Sequence, residues 1–347
     1  MNAAAPAARR PGRRAPRLLI VGCGDTGMQV LRRLAARMRV FALTSSAERL
    51  PELRAAGALP LLGDLDRRTD LARLRGLAPR VLMLAPPPAS GRADTRSAHL
   101  AAVLRRPPPG FAGRAAKTRA RTHPAASGIV AKRAQGRAGP PPRRLVYAST
   151  TGVYGDAGGA RLRETDRVAP ASERAARRVA AERLWRGIAP ARARSRAPGL
   201  PAWRTTVLRI PGIYGIDRLP LDRLRRGLPR LAPDDDVFTN HIEIGDLAAI
   251  AVAALWRGRP QRVLHACDGE DLKMGDYFDA VADAAGLPRP PRLGRDAVQA
   301  AVSPAMWSFM RESRRLDNER LRRELRVRLR YPTVAAALRQ WFGKPAA

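Results

Sequence analysis

Two cysteines, Cys23 and Cys267, are all that 347 residues hold. They are too few and too far apart in sequence for a disulfide framework or a cysteine-bound metal cluster, and they point to a reducing, cytoplasmic setting. The four histidines, His99, His123, His241 and His265, share no ligand spacing, so the common metal-binding patterns are missing as well. No apolar run approaches the length that spans a bilayer, which gives no reason to expect a membrane protein. Lysine is almost absent: four of the 65 basic residues are lysine and the rest arginine, a bias that codon usage explains at least as well as selection for phosphate contacts.

Acidic residues are also in short supply, and the formal charge is +35. An excess of that size suggests nucleic acid or an anionic surface, but its distribution argues against that as the main role. Residues 1–17 carry five Arg and no acid, and residues 105–144 carry nine Arg, two Lys and no acid. Both stretches are rich in Pro, Gly and Ala and lack periodic apolar residues, which predicts a disordered basic arm over 1–16 and a disordered basic insertion at about 105–143. The arm also has the composition of an organelle transit peptide.

What remains alternates short apolar runs with amphipathic ones, the pattern of parallel strands linked by helices in an α/β protein. The strands expected are RLLIVGC, RVFALT, ALPLLGD, RVLMLAPP, RRLVYAST, WRTTVLRIPGIYG and RVLHACDG. From about residue 216 the order loosens, with helical patterns near 245–257, 275–286 and 316–326. These observations divide the chain into a first domain over 17–215, interrupted by the insertion, and a smaller C-terminal lobe over 216–347, with a strand near 262–267 returning to the sheet.

Between the first strand and its helix lies GCGDTG, with Gly22, Gly24 and Gly27 at the spacing G-x-G-x-x-G and Asp25 and Thr26 completing the loop. The first glycine permits a tight turn, the second lets a pyrophosphate approach backbone, and the third packs helix on strand. The helix N-terminus then offers free N–H groups to the phosphates. At the end of the second strand stand Thr44, Ser45 and Ser46, followed by Arg49, with no carboxylate to hold ribose hydroxyls and repel an extra phosphate. The cofactor expected is NAD(P), and this pattern favours NADP. Asp64, with Leu65 beside it, ends the third strand; it either accepts from an adenine amino group or caps the next helix.

GCGDTG, GDL, YASTTGVYGD, VLRIPGIYG and NHIEIGDLA occur in the order seen in extended or atypical short-chain dehydrogenases/reductases, and the tail RRLDNERLRRELRVRLRYPT resembles that of some atypical members. The chain thus resembles the NAD-dependent epimerase/dehydratase superfamily over about 17–104 and 145–340. The resemblance implies a Rossmann-type, doubly wound parallel sheet with a smaller C-terminal substrate lobe, a nicotinamide cofactor and a small-molecule substrate in the cleft between sheet and lobe. In that family the fifth strand delivers a Ser or Thr to the substrate oxygen, and Thr150 matches that position.

The family's chemistry also uses a Tyr with a Lys four residues later, and here the chain departs. Aligning PASERAARRVAAERLW on Pro170 and Glu182 puts Arg174 at the tyrosine position and Arg178 at the lysine position. A guanidinium stays protonated near neutrality, so Arg174 does not exchange a proton as a phenol does. Arg178 retains a donor for the nicotinamide ribose. Residues 174, 178 and 182 share one helix face, either as an anion- or carbonyl-binding pair or as a solvated face braced by Arg178 and Glu182.

Other polar residues carry less. Asp246 reads as a helix N-cap, His241 and Glu243 as structural or cleft-lining, Tyr154 and Tyr214 as packing. Residues 314–328 read as a solvated amphipathic helix with leucines at 316, 321 and 325. The function expected is an oxidoreductase or epimerase-like enzyme on a small substrate. Its rivals are a non-catalytic dinucleotide-binding redox sensor and, more weakly, a nucleic-acid binder using the basic segments. Homo-oligomerisation stays open.

Overall fold

Strands of a parallel sheet covered on both faces are buried on both sides, so they read as unbroken apolar runs. The computed structural model of the protein, which describes residues 11–12, 14–109, 142–188 and 201–343, has a strand at each of the seven expected runs, largely buried in all but the one at 59–62. They are β1 (Arg17–Val21), β2 (Arg39–Thr44), β3 (Leu59–Leu62), β4 (Arg80–Met83), β5 (Arg143–Thr150), β6 (Trp203–Ile210) and β7 (Arg262–His265). All pair in parallel in the order β3-β2-β1-β4-β5-β6-β7. Pro60, which has no N–H to give to a ladder, sits on edge strand β3. Most of the 1–16 arm and of the 105–143 insertion lies outside the described residues.

Alternate residues of each strand feed two cores. In β1, Leu18 and Ile20 pack on one face with Val30, Leu31 and Leu247, while Leu19 and Val21 pack on the other with Leu100 and Trp185. Each such side chain, fully buried, is worth roughly 1.5–3 kcal/mol. The first face is covered by helices α1 (Asp25–Leu34) and α4 (Ile244–Arg257), the second by α2 (Thr95–Arg105) and α3 (Glu173–Arg186).

Ser172 starts α3, its Oγ accepting from Ala175 N at 3.2 Å. At α4 the cap is Glu243 and not Asp246: Glu243 Oε2 accepts from Asp246 N at 2.9 Å. The Asp246 carboxylate turns instead to the C-terminal segment, accepting from Arg330 N at 2.9 Å and Tyr331 N at 2.8 Å. Sequence alone offered two acids near the helix start, and the one three residues ahead of the free amide has the reach to cap it.

A third core, with Tyr214, Leu231, Tyr277, Phe278, Val298, Met310 and Leu338, forms the C-terminal lobe. It is built from α5 (Met274–Ala285), α6 (Pro304–Met310), α7 (Val334–Phe342), and short helices at Leu221–Arg225 and Arg295–Ala301. Residues 316–326 do not form the solvated helix that their leucine spacing suggests. Arg315–Leu316 pairs with Arg161–Leu162 as a short parallel strand, only residues 319–325 wind, the last five as a π turn, and Arg326 ends it at φ 50°. Leu316, Leu321 and Leu325 are all buried, the last two in the core shared with the sheet and Leu316 beside Tyr154 and Cys267. The spacing arises from two cores served in turn.

Candidate functional site

The sheet order reverses between β1 and β4, and in open parallel sheets such a reversal leaves a crevice at the carboxyl ends of the strands. GCGDTG occupies it. Gly22 has φ 82°, and a Cβ there would lie 2.5 Å from Ala85 N, so only glycine makes this turn. A Cβ at Gly27 would press on Cys23 Sγ at 3.2 Å. Gly24 differs from both: a Cβ would meet nothing within 4 Å, so its small size serves no packing inside the protein. Gly24 is also the N-cap of α1, and no side chain caps the helix there. The positive end of the helix dipole therefore opens into a cleft of about 270 Å³. Gly22, Gly24, Asp25, Thr26 and Gly27 line it from β1, Thr150 and Arg178 from β5 and α3, and Arg218 from the C-terminal lobe.

Thr150 ends β5 and does two things. Its Oγ1 accepts from Gly152 N at 3.2 Å, which caps the turn Thr151–Tyr154, and its side chain lines both this cleft and a larger neighbouring one. Because the hydroxyl accepts from the backbone, its own proton is left to donate. Arg178 Nη1 donates to Ala148 O at 2.8 Å and Tyr147 Oη at 3.2 Å, holding the guanidinium against the end of β5. Arg174, one turn earlier, lines the larger cleft and stacks over Phe309, 5.2 Å from guanidinium carbon to ring centre.

Glu182 does not brace Arg178. It is buried against Arg209 of β6, Oε2 accepting from Nη2 at 2.8 Å and Oε1 from Nε at 3.1 Å, and Oε1 also accepts from Ser149 Oγ at 2.6 Å. Arg209 Nη1 reaches on to Tyr154 Oη at 2.6 Å, which lies 2.6 Å from His265 Nε2. A guanidinium 27 residues away on the neighbouring strand outcompetes one a single turn away, because Arg209 can meet both carboxylate oxygens in one fork.

His265 Nδ1 donates to Asp317 O at 2.8 Å, which leaves Nε2 facing Tyr154. Burial, and to a smaller extent the charge of Arg209, push its pKa down to about 4 from an ordinary 6.5. A group depressed in the folded state gives stability that is fully present above 6.5 and is lost as pH falls toward 4. The expected loss is about 3 kcal/mol. Urea unfolding at pH 7.0 and 4.5 checks this, and His265→Asn should flatten that part of the pH slope.

The residues at the ends of β2 and β3 lie next along the sheet and do not line the 270 Å³ cleft. Thr44 Oγ1 accepts from Ser46 N at 3.2 Å and Ser45 is exposed. Arg49 donates to Cys23 O at 2.7 Å and to Glu52 at 3.0 and 3.1 Å, bracing the glycine loop from outside. Asp64 Oδ1 accepts from Asp66 N at 2.9 Å, and Leu65 is buried, its carbonyl accepting from His99 Nδ1 at 2.8 Å.

The larger cleft, about 680 Å³, lies between the end of β5 and the C-terminal lobe. Most of its far wall carries no sequence signal: Arg218, Phe309 and Glu312 belong to no motif, Arg314 is only the first residue of the family-like tail, and Phe309 is 45% accessible. Asn240 lines it too, whereas His241 is buried and stacks on Tyr277 at 4.3 Å, with burial pushing its pKa down to about 3. Tyr154 and Tyr214 are buried packing residues, and burial pushes the Tyr154 phenol up to about 12. Among the described residues, no group of three His, Cys, Asp or Glu could hold a metal ion, and no helix is long and apolar enough to cross a membrane.

A reversed parallel sheet with an uncapped glycine-loop helix at the reversal defines a Rossmann-type α/β protein, here carrying a second lobe over the strand ends. The fold is that of the extended short-chain dehydrogenases/reductases, the NAD-dependent epimerase/dehydratase superfamily that the motifs resemble. A conserved protein of unknown function from Silicibacter pomeroyi is 28% identical with TM-score 0.66, over 95% of this chain and 99% of that one. The human epimerase family protein SDR39U1, solved with NADPH, is 18% identical with TM-score 0.61, over 95% and 100%. MoeE5, solved with UDP-glucose and NAD, is 19% identical with TM-score 0.63, over 94% and 97%. No family model matches the chain, and no curated protein matches it in sequence.

Proposed function

We propose that the chain binds NAD(P) over the glycine loop and acts as an oxidoreductase or epimerase-like enzyme on a small molecule held in the larger cleft. The observation that carries this reading is Thr150, whose hydroxyl stands where the two clefts meet and keeps its proton free to donate. A nicotinamide dinucleotide fits the residues present, since the open space at Gly24 and the uncapped start of α1 suit a pyrophosphate. When bound, it supplies a hydride donor or acceptor. Gly22, Gly24 and Gly27 shape the pyrophosphate site, with Asp25 and Thr26 on its rim. Arg178, already fixed to the end of β5, orients the nicotinamide ribose, and the acid-free end of β2 favours NADP.

Thr150 then orients the reacting oxygen. Arg174 holds charge and moves no proton, so proton movement falls to water or to Glu312, the one carboxylate among the residues lining the larger cleft. A second reading, a redox sensor without turnover, draws on the same substitution of arginines for the family's Tyr and Lys.

Thr150→Val separates them. In an enzyme it lowers turnover by about a hundredfold or more, the scale of losing one positioned donor, with dinucleotide affinity unchanged. A substrate screen followed at the reduced-nicotinamide absorbance reads this. Absence of any turnover, together with different affinities for oxidised and reduced dinucleotide, would establish the sensor.

A further inference from the structure

Three guanidinium groups line the larger cleft, and two are already matched. Arg218 pairs with Asp25, and Arg314 Nη1 bonds both Glu312 and Gly155 O at 2.7 Å. Glu312 is the one carboxylate among the lining residues and is taken by Arg314. Among the described residues no carboxylate or carbonyl forms a hydrogen bond or ion pair with Arg174, which stacks on the face of Phe309 and feels the charge of Glu312 only at a distance. Arg177 and Arg178, its neighbours on α3, add positive charge and no relief.

An exposed guanidinium stacked on a ring keeps its planar edge of N–H groups free, and that edge matches the two oxygens of a carboxylate or phosphate. We propose that Arg174 and Phe309 form an oxyanion subsite, so that the substrate carries a carboxylate or phosphate ester on a flat or apolar body, in addition to the oxygen Thr150 orients. The inference rests on the reading of this cleft as the substrate site. It gives position 174 a binding task where the family places proton transfer.

The matched probes are phenyl phosphate, benzoate and benzyl alcohol, which share the ring and differ in charge. Each is titrated by calorimetry into wild-type protein and into Arg174→Gln, Arg174→Lys and Phe309→Ala, with and without NADP. Charge-assisted bidentate bonds are worth about tenfold to a hundredfold in affinity. At least one anion should bind wild-type protein tenfold or more tightly than the alcohol, and the stronger of the two identifies phosphate or carboxylate. Arg174→Gln should erase that margin without changing the alcohol, Arg174→Lys should keep part of it, and Phe309→Ala should weaken all three. Equal binding of anions and alcohol, or an anion margin that survives Arg174→Gln in protein of wild-type melting temperature, overturns the subsite. Failure of NADP to bind while the Arg174-dependent margin persists would instead retire the cofactor reading and leave the subsite standing.

Discussion

Gly24→Val is expected to fold as the wild type does and to bind NAD(P) at least about a hundredfold more weakly, or not at all, in a calorimetric titration. A Cβ at this position meets nothing within 4 Å, so the fold is expected to tolerate the substitution. The branched side chain occupies instead the space over the start of α1, where a pyrophosphate would accept hydrogen bonds from backbone amides. Each bond to a charged group is worth about 1.5–3 kcal/mol, and losing two of them reaches the hundredfold scale. Gly22→Ala makes the control, since a Cβ at φ 82° and 2.5 Å from Ala85 N should destabilise the fold itself. Unchanged affinity in folded Gly24→Val would sink the assignment of the cleft.

Glu182→Gln should cost about 3 kcal/mol or more in urea unfolding, although it changes one atom and lies under the sheet surface, away from any ligand. The side chains of Glu182 and Arg209 are 4% and 5% exposed. Removing one charge of a buried pair leaves the other uncompensated, at a typical cost of 3–5 kcal/mol. The double variant Glu182→Gln with Arg209→Met should recover much of the loss, because no buried charge is then left alone. A Glu182→Gln variant as stable as wild type, or a double variant with strictly additive losses, contradicts this account. Glu182 also holds Ser149, next to Thr150, so the single variant should loosen the end of β5 as well.

The seven strands were legible because each lies in a sheet covered on both sides and is bounded by Gly, Pro or polar residues. GCGDTG was legible because its three glycines answer to local demands of turn, approach and packing. The larger cleft was not, because Arg174, Phe309 and Glu312 come from α3, α6 and the segment after it, and only tertiary folding brings them to one cavity. Glu182 was placed on a face with Arg178 by helical periodicity, which is blind to a neighbouring strand. The leucines at 316, 321 and 325 imitate a helix for a similar reason: burial sets their spacing, and burial here comes from two directions.

The carboxylate of Asp246 ties residues 330 and 331 to the start of α4, and α4 packs beside α1, the helix that carries the glycine loop. Strand β7, which pairs with β6, follows α4 in the chain. A ribosome that has made only the first 215 residues has therefore produced a glycine loop whose helix lacks its packing partner and a sheet with an uncovered edge. Such a nascent chain holds unburied apolar surface and needs protection from aggregation until residues 244–265 and 330–331 have emerged to cover it. The helix that carries the glycine loop and the C-terminal segment thus complete their packing together.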